Sequence, residues 1–322
     1  MTEKIAILHW CEGAGHAARN LAIASELESR GAKIAIAGGG PGKMFVELNG
    51  YEEPDLEVVE AIEKKTDPDI NLLTFVRDFF FTEVPSYLRR FVDVYNWLKK
   101  EDPDKVITDD FFGVIAATLH RTKFYRVEHM TPEVLPPHIE YPLRIYDWYT
   151  GTVGEEVFLT SLWDVDDSRK GVVDVGPLAQ EGGEDVESFD VLLIPGTMST
   201  GFKELKDTLE QKGMEVKMVG SENWQLAPSM TPYTGAASCV VCTGFSSIAD
   251  TVVAGTPCVV YPFFSIQERI ADEIDQRNLG GLEKAGSQDE VIKAVEECLQ
   301  NRKNAPEYKN GAKKAANHVL NT

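Results

Sequence analysis

The chain has 322 residues, a formal net charge of −20 and a hydrophobic content of 43%, and this length is enough for two domains with sizeable cores. Its 52 acidic and 32 basic residues argue against a nucleic-acid partner, because such binding depends on the neutralisation of phosphates. No apolar run approaches the roughly 20 residues that span a bilayer, and strand-like sequence starts close to Met1. We therefore expect a cytoplasmic protein.

The first half of the sequence alternates apolar strands with helices. A near-continuous apolar run at 4–9 is followed by a glycine-rich loop and by a helix that stops at Gly31, a residue type that commonly ends helices. The predicted strands are 4–9, 33–37, 56–61, 105–108, 124–128 and 157–163, and the predicted helices are 16–30, 43–49, 71–100 and 110–120. This order predicts a doubly wound α/β domain, in which ligands bind beyond the carboxyl ends of the strands.

The second half repeats this pattern after a segment rich in glycine, proline and acidic residues. That segment, 164–189, has the composition of a linker. Beyond it the predicted strands are 191–194, 215–219 and 238–242, with a loop at 195–201 and a helix at 202–212. We therefore predict two α/β domains, 1–168 and 169–322, and the last helix of the second can pack back on the first.

The run from Thr243 to Pro257 is typical of a nucleotide site. A small-residue loop follows a buried strand and opens a helix, and backbone N–H groups at such a helix start can hold a diphosphate without any basic side chain. Asp250, on the helix behind the loop, is placed to accept hydrogen bonds from ribose hydroxyls. A similar loop occurs at Gly196. The alternative interpretations are a tight turn that needs small residues and a solvated helix carboxylate.

Four segments, in this order and spacing, make the chain resemble the GT-B glycosyltransferases. It is most similar to the branch of the peptidoglycan N-acetylglucosaminyl transferase and the UDP-glucuronosyltransferases, and within it to the short archaeal-type members. The matching segments are 13–19, 175–178, 244–257 and 267–271. The resemblance implies two Rossmann-like, doubly wound domains that face each other across a cleft. It also implies a nucleoside-diphosphate sugar held mainly by the C-terminal domain and an acceptor held mainly by the N-terminal domain.

The resemblance further implies an inverting transfer in which His16 deprotonates the acceptor hydroxyl. A neutral imidazole suits this task, and the positive end of a helix dipole favours the neutral form. Asp109 matches the carboxylate that orients the histidine in some relatives, and Asp110 competes for that role. The alternatives are a histidine that only packs at a helix start and an acid that only caps the following helix.

On the donor side the resemblance implies a diphosphate between the loops at 196–200 and 243–247, ribose on Asp250 and sugar hydroxyls near Gln267. The predicted donor-binding residues are Gly15, Gly196, Thr197, Ser199, Gln225, Leu226, Thr243, Gly244, Phe245, Ser246, Ser247, Asp250 and Gln267, of which Gln225 and Leu226 line the base pocket. No metal and no cofactor is implied, because helix N-termini carry the charge of the leaving nucleotide. The donor is expected to be a UDP-sugar; the class of acceptor stays open.

The sequence departs from the family pattern in three places. Asp250 stands where glutamate is more usual, which shortens the reach toward ribose by one methylene. Cys11 and Glu12 bring a thiol and a negative charge into the first loop, and Ile266 stands before Gln267 in place of an acid.

Two other motifs point to structure rather than to metal binding. Cys239 and Cys242 have Cys-x-x-Cys spacing, but a strand projects them to opposite faces, and the sequence offers no second pair. The acidic run Asp164-Val165-Asp166 lies in the linker and is expected to be a solvated turn.

A long helix with Phe75, Phe79, Phe80, Phe81 and the basic pairs at 89–90 and 99–100 could dock on a membrane surface. Aromatic residues on a long helix more often pack into the core, so peripheral membrane contact is the less favoured interpretation.

Two other functions fit the same sequence. One is an epimerase of this fold that frees a sugar from its nucleotide with carboxylates such as Asp109 and Asp110. The other is a non-catalytic sensor that binds a nucleotide sugar at the site between Gly244 and Asp250.

Overall fold

A computed structural model describes residues 2–59, 84–129, 137–165, 169–196, 200–301 and 306–322. The elements of the first half are β1 (Lys4–Leu8), α1 (Ala14–Ser29), β2 (Lys33–Ala37), α2 (Lys43–Leu48), α3 (Val84–Glu101), β3 (Lys105–Thr108), α4 (Phe111–His120), β4 (Lys123–Glu128), α5 (Pro137–Val153), β5 (Glu156–Leu159) and β6 (Val172–Asp174).

The second half contains the same kinds of element in alternation. They are β7 (Phe189–Ile194), α6 (Phe202–Gln211), β8 (Val216–Met218), α7 (Thr231–Ala236), β9 (Ala237–Cys242), α8 (Phe245–Val253), β10 (Cys258–Val260), α9 (Ser265–Gln276), β11 (Leu282–Lys284), α10 (Gln288–Asn301) and α11 (Ala312–Asn321).

The strands form two sheets. The first has the order β2-β1-β3-β4-β5-β6, and the second has the order β11-β10-β9-β7-β8. All the pairs among β1 to β4 in the first sheet, and all the pairs in the second, are parallel. Parallel strands bring their carboxyl ends to one edge of the sheet, so the loops after β1 and β3, and those after β7 and β9, lie side by side. This confirms the predicted α/β class.

The second sheet is buried on both faces, as parallel sheets usually are. Along β7 and β9 the side chains alternate between two apolar clusters, so that Leu192 and Val240 join one cluster while Leu193 and Val241 join the other. Cys242 lies in the first cluster and Cys239 in the second. The two thiols of the Cys-x-x-Cys motif therefore lie on opposite faces of the sheet, as predicted.

Contacts between Cα atoms divide the chain into two compact units. One comprises residues 1–128, 147–158 and 168–173, and the other 129–146, 159–167 and 174–322. The chain thus crosses between the units more than once in the stretch 129–174. The boundary between 168 and 169 stays a prediction about domains.

Three predicted elements differ from the structure. Residues 56–59 do not form a strand, and residues 60–61 lie outside the described part of the chain. The strand predicted to reach Trp163 ends at Leu159, because the chain leaves the sheet there. The predicted linker contributes β6 to the first sheet.

Helix α5 was not predicted, because its segment is rich in proline and aromatic residues. It begins at Pro137, where a missing N–H costs nothing, and it continues through Pro142.

The basic pair proposed for membrane contact is divided by the fold. Arg89 is exposed, whereas Arg90 is fully buried. The Arg90 guanidinium donates from Nε to Asp110 Oδ2 at 3.0 Å, and from Nη1 to the carbonyl oxygens of Gly38 and Glu57 at 3.0 and 2.7 Å. Arg90 therefore has no part in a membrane-facing surface, the less favoured interpretation of this helix, since its hydrogen bonds hold it in the core. The aromatic residues at 75–81 lie outside the described residues.

The Arg90–Asp110 pair predicts a large loss of stability on truncation. Arg90→Met leaves a buried carboxylate without its cation, and breaking a buried pair costs about 3–5 kcal/mol. Lys293→Ala is the control, since Lys293 is an exposed helix residue 3.7 Å from Glu297, a pair worth about 0.5 kcal/mol. Urea unfolding of both variants checks the prediction, and a loss below about 1 kcal/mol for Arg90→Met would contradict it.

Candidate functional site

The end of β1 and the end of β3 bring a histidine and a carboxylate together. Leu8 pairs with Thr108 in parallel register, so the loop before α1 lies beside Asp109. His16, in the first turn of α1, has its Nδ1 atom 2.7 Å from Asp109 Oδ2. The other carboxylate oxygen, Oδ1, accepts a hydrogen bond from the Trp10 backbone N–H at 2.7 Å.

The environment of Asp109 keeps its carboxyl group ionised. Its side chain is 4% exposed, and burial by itself raises the pKa of a carboxyl group. The interactions with His16, with the Arg19 guanidinium and with the Trp10 N–H outweigh burial and hold the pKa of Asp109 well below its usual range. Asp109 is therefore an acceptor for a ring N–H of His16.

Asp110, the competing carboxylate, is committed elsewhere. It is fully buried and forms the ion pair with Arg90. Its Oδ1 also accepts from the Phe112 backbone N–H at 2.8 Å, which caps α4. Asp110 therefore stabilises the fold at this point, while Asp109 contacts His16.

The residues around this pair are also in place. Gly15 precedes His16 in the first turn of α1, and the helix starts at Gly13 without a side-chain cap. Cys11 is buried, with its thiol donating to the Val59 carbonyl at 3.2 Å, and Glu12 accepts from Trp10 Nε1 at 3.3 Å.

In the second unit, three of the predicted donor residues lie together. Ile194 pairs with Cys242, so the loops that follow β7 and β9 are adjacent. A Cβ atom added to Gly196 would lie 2.6 Å from Thr243 Oγ1 and 3.9 Å from Gln267 Nε2. The other end of the Gln267 amide accepts from the Phe263 N–H at 2.9 Å, which fixes the orientation of the side chain. Thr197 and Ser199 lie outside the described residues.

Gly244 is the residue from which α8 starts, and the described residues do not require a glycine there. Its φ of −116° is open to any residue, and a Cβ atom added to it would meet no described atom within 4 Å. Phe245 packs into the core, and Ser246 and Ser247 lie half-buried in the first turn of α8. Open space beside an uncapped helix start suits the close approach of an anion.

Asp250 is a buried acid for which no hydrogen-bond partner is found among the described side chains and backbone groups. It is 8% exposed, and burial raises its pKa to about 7. Its backbone carbonyl, by contrast, accepts from the Ala254 N–H at 3.1 Å and from the Thr234 hydroxyl at 3.4 Å. Buried polar groups are almost always paired, so this carboxyl group calls for a donor from outside the chain.

The lining of the predicted base pocket, as found in the described residues, does not include Gly196, Thr243 or Asp250. Gln225 is exposed and lines a cavity of about 430 Å³ with residues of α6 and β8, next to Trp224 and Tyr233, whose ring centroids are 4.7 Å apart. Leu226 is exposed. No hydrogen bond or ring contact found in the described part of the chain joins Gln225 or Leu226 to Gly196, Thr243 or Asp250.

Sequence reasoning gave no role to Arg19 and Trp10. Arg19 lies three residues after His16, on the same helix face, and that spacing was the available signal. The Trp10 contact is made by the backbone and left no signal in the sequence.

Two other kinds of feature are absent from the described residues. Within them, no group of three or more His, Cys, Asp or Glu side chains is arranged to hold a metal ion. None of their helices combines the length and the apolar character needed to cross a membrane.

The sequence matches no protein-family model and no curated protein. Solved structures, however, match it over nearly its whole length. SsfS6, a glycosyltransferase of Streptomyces sp. SF2575 complexed with thymidine diphosphate, is 12% identical, covers 99% of this chain and 100% of its own, and has a TM-score of 0.64. Os79 from O. sativa, complexed with UDP, is 12% identical, covers 98% and 99% of the two chains, and has a TM-score of 0.65.

The glycotransferase of kitacinnamycin is 15% identical, covers 99% of both chains, and has a TM-score of 0.63. At these identities the likeness concerns the fold. The protein has the GT-B fold, with two Rossmann-like α/β units, as the sequence predicted.

Proposed function

We propose that this protein is an inverting glycosyltransferase that moves a sugar from a nucleoside-diphosphate sugar, favoured as a UDP-sugar, to an acceptor hydroxyl. The observation that carries the proposal is the buried Asp109 carboxylate 2.7 Å from His16 Nδ1, at the carboxyl ends of adjacent strands in a GT-B fold. The similar structures support it, since SsfS6 is a glycosyltransferase bound to thymidine diphosphate and Os79 is bound to UDP. As part of this proposal, the protein is most similar to the short archaeal-type members of the family and acts in the cytoplasm.

In the proposed reaction Asp109 holds the proton of the neutral His16 ring on Nδ1, so the lone pair is on Nε2. Nε2 takes the proton of the acceptor hydroxyl while the hydroxyl oxygen forms a bond to the anomeric carbon. The bond from that carbon to the diphosphate oxygen breaks, and the nucleoside diphosphate leaves with the electron pair. Asp109 stabilises the imidazolium that forms, and a single displacement inverts the anomeric centre.

On the donor side, the first turn of α8 after Gly244 receives the diphosphate, with Thr243 and Gly196 beside it. The backbone N–H groups and the helix dipole stabilise the charge on the leaving group, so the proposal needs no metal ion. Asp250 accepts from the ribose hydroxyls, which supply the hydrogen-bond donors that the described residues do not give it.

The general base is tested with labelled UDP- and dTDP-sugars, incubated with and without lipid, glycan and small-molecule acceptors. His16→Ala is expected to lower transfer, or slow donor hydrolysis, by at least 100-fold, because a general base contributes about 10²–10⁴. Its nucleotide affinity should not change. His120→Ala, at the end of α4, is the control with wild-type rates.

Each other result has a definite meaning. Undiminished transfer by His16→Ala excludes the proposed base. An epimerised free sugar in place of a glycoside identifies the epimerase, and nucleotide binding without any turnover identifies a sensor.

Gly244→Ala tests the diphosphate position. The added methyl group meets no atom of the described residues within 4 Å, so the free energy of unfolding should change by less than about 1 kcal/mol. Affinity for UDP or dTDP should fall about tenfold or more, because the methyl group occupies the anion's approach. Calorimetric titration and urea unfolding measure both effects. Gly13→Ala, the matched change at the start of α1, should leave nucleotide affinity unchanged, and equal affinities for wild type and Gly244→Ala would refute this position.

Asp250→Asn should change stability and binding in opposite directions. The folded-state pKa of Asp250 is raised to about 7, so the folded protein keeps a proton that the unfolded chain has lost, and stability falls as pH rises from about 4 to 7. Asparagine does not titrate, so at pH 8 the variant should be more stable than wild type by about 2–4 kcal/mol, and nearly equal to it at pH 4. Loss of a charged ribose acceptor should weaken nucleotide binding about tenfold.

Unfolding at both pH values and titration with UDP and dTDP measure these effects. Asp275→Asn, on the exposed face of α9, should show neither effect. A variant that is less stable at pH 8 and binds as tightly as wild type would show that Asp250 has a structural role.

A further inference from the structure

A third charged group lies at the His16–Asp109 pair. Arg19 is 3% exposed, and its Nη2 atom lies 3.1 Å from Asp109 Oδ2 and 2.9 Å from His16 Nδ1. One carboxylate oxygen, Oδ2, therefore has both a guanidinium and an imidazole nitrogen within hydrogen-bond distance.

The neighbouring buried arginine shows how a purely structural guanidinium is held. Arg90 uses Nε and both terminal nitrogens in hydrogen bonds with Asp110 and two carbonyl oxygens. Arg19, by contrast, has a buried Nε without any partner in the described residues, and its polar contacts in those residues are with His16 and Asp109 alone. Burying a donor without a partner costs free energy, so packing and pairing do not account for Arg19 as they account for Arg90.

The distances fix where the proton of His16 lies. A guanidinium can only donate, and an ionised carboxylate can only accept. At 2.7 Å from Asp109 Oδ2, Nδ1 must carry a proton, since two lone pairs would otherwise face each other. The Arg19 guanidinium then lies beside a ring N–H, which is also a donor. Its positive charge opposes the addition of a second positive charge on the His16 ring.

Asp109 alone would have the opposite effect on His16. A buried carboxylate beside an imidazole favours the doubly protonated ring, and such a ring has no lone pair with which to take a proton from an acceptor hydroxyl. Arg19 shares Oδ2 and so offsets the carboxylate's charge at the ring.

We propose that Arg19 is a positioning residue that keeps the His16 ring neutral, with its proton on Nδ1, until an acceptor hydroxyl delivers a proton to Nε2; this inference rests on the proposed function. The charge of Arg19 and its sharing of Asp109 Oδ2 are the properties that matter. It acts through His16 and Asp109.

Ring ¹H–¹⁵N correlation spectra of the ¹⁵N-labelled protein at pH 7 test this without any substrate. The His16 signals among the six histidines are assigned by their loss in His16→Gln. We expect wild type to show the ring proton on Nδ1, which lies 2.7 Å from Asp109 Oδ2. In Arg19→Met the ratio of doubly to singly protonated rings should rise about tenfold, as expected when a like charge is removed from a buried site.

Two further variants separate charge from packing. Arg19→Gln is neutral but can still donate to Asp109, and we expect it to show the same rise in doubly protonated rings. It replaces Arg19→Met as the test if Arg19→Met folds poorly. Arg19→Lys keeps the charge and should stay within about twofold of wild type. Arg30→Met, at the far end of α1, is the control with an unchanged His16 spectrum.

The result is independent of whether sugar transfer is found. A wild-type ring that is already doubly protonated, or that carries its proton on Nε2, overturns the proposal. So do folded neutral variants whose ratio stays within twofold of wild type. When transfer is measurable, the acid limb of its pH profile should move to higher pH in Arg19→Met and return in Arg19→Lys, which a purely structural role would not produce.

Discussion

Asp109 is a buried carboxylate whose charge has to be stabilised by donors at both of its oxygen atoms, the Trp10 N–H at Oδ1 and the His16 and Arg19 side chains at Oδ2. The parallel pairing of β1 with β3 places it beside the loop that precedes α1, and the first turns of α1 supply the two side chains that reach it. Burial would otherwise neutralise this group, so the Trp10 N–H, His16 and Arg19 together are the condition for keeping a charge there. The same donors fix the orientation of the histidine ring, which links the stability of this corner of the sheet to its chemistry.

Asp250 presents the reverse situation. It is buried to a similar degree on a helix that also follows a parallel strand, yet the described part of its unit gives it no donor. Of these three carboxylates, Asp250 is the one without a side-chain hydrogen bond in the described residues, so it can still accept from a ligand. The open space at Gly244 in the described residues lies at the start of the same helix, so the two features on which the proposed donor site depends belong to one element.

The sequence predicted the elements whose signal is local. The apolar runs of β2 and β3 matched residue for residue, because buried parallel strands are short and continuously apolar. Helix α5 was missed because Pro137 and Pro142 suggest a break, although the first position of a helix accepts proline. The strand β6 was hidden in an acidic linker, because what makes it a strand is the pairing partner and not its own composition.

The residues of the candidate site also differ in whether a local signal in the sequence could reveal them. His16, Asp109, Gly244 and Asp250 stand in motifs that a reader can find, whereas the role of Arg19 depends on a contact with a residue 90 positions away. Likewise no pattern along the helix shows that Arg90 is buried and Arg89 exposed, since that difference is set by Asp110 and two carbonyl groups from other elements. Local periodicity predicts which face of a helix or strand is buried. It does not predict which polar side chains on that face will find hydrogen-bond partners.

The net charge of −20 acts against an anionic ligand at long range, and the proposed donor residues include neither lysine nor arginine. At physiological ionic strength charges are screened beyond about 8 Å, whereas backbone N–H donors act at contact. Recognition of a diphosphate would then be decided in the last few ångströms, by the open helix start at Gly244 and the acceptor at Asp250. In the proposed site, an anion without hydroxyl donors would meet the repulsion of the Asp250 carboxylate without gaining its hydrogen bonds. The buried acid would therefore favour a nucleotide over a simple phosphate, whereas the acidic surface would repel both.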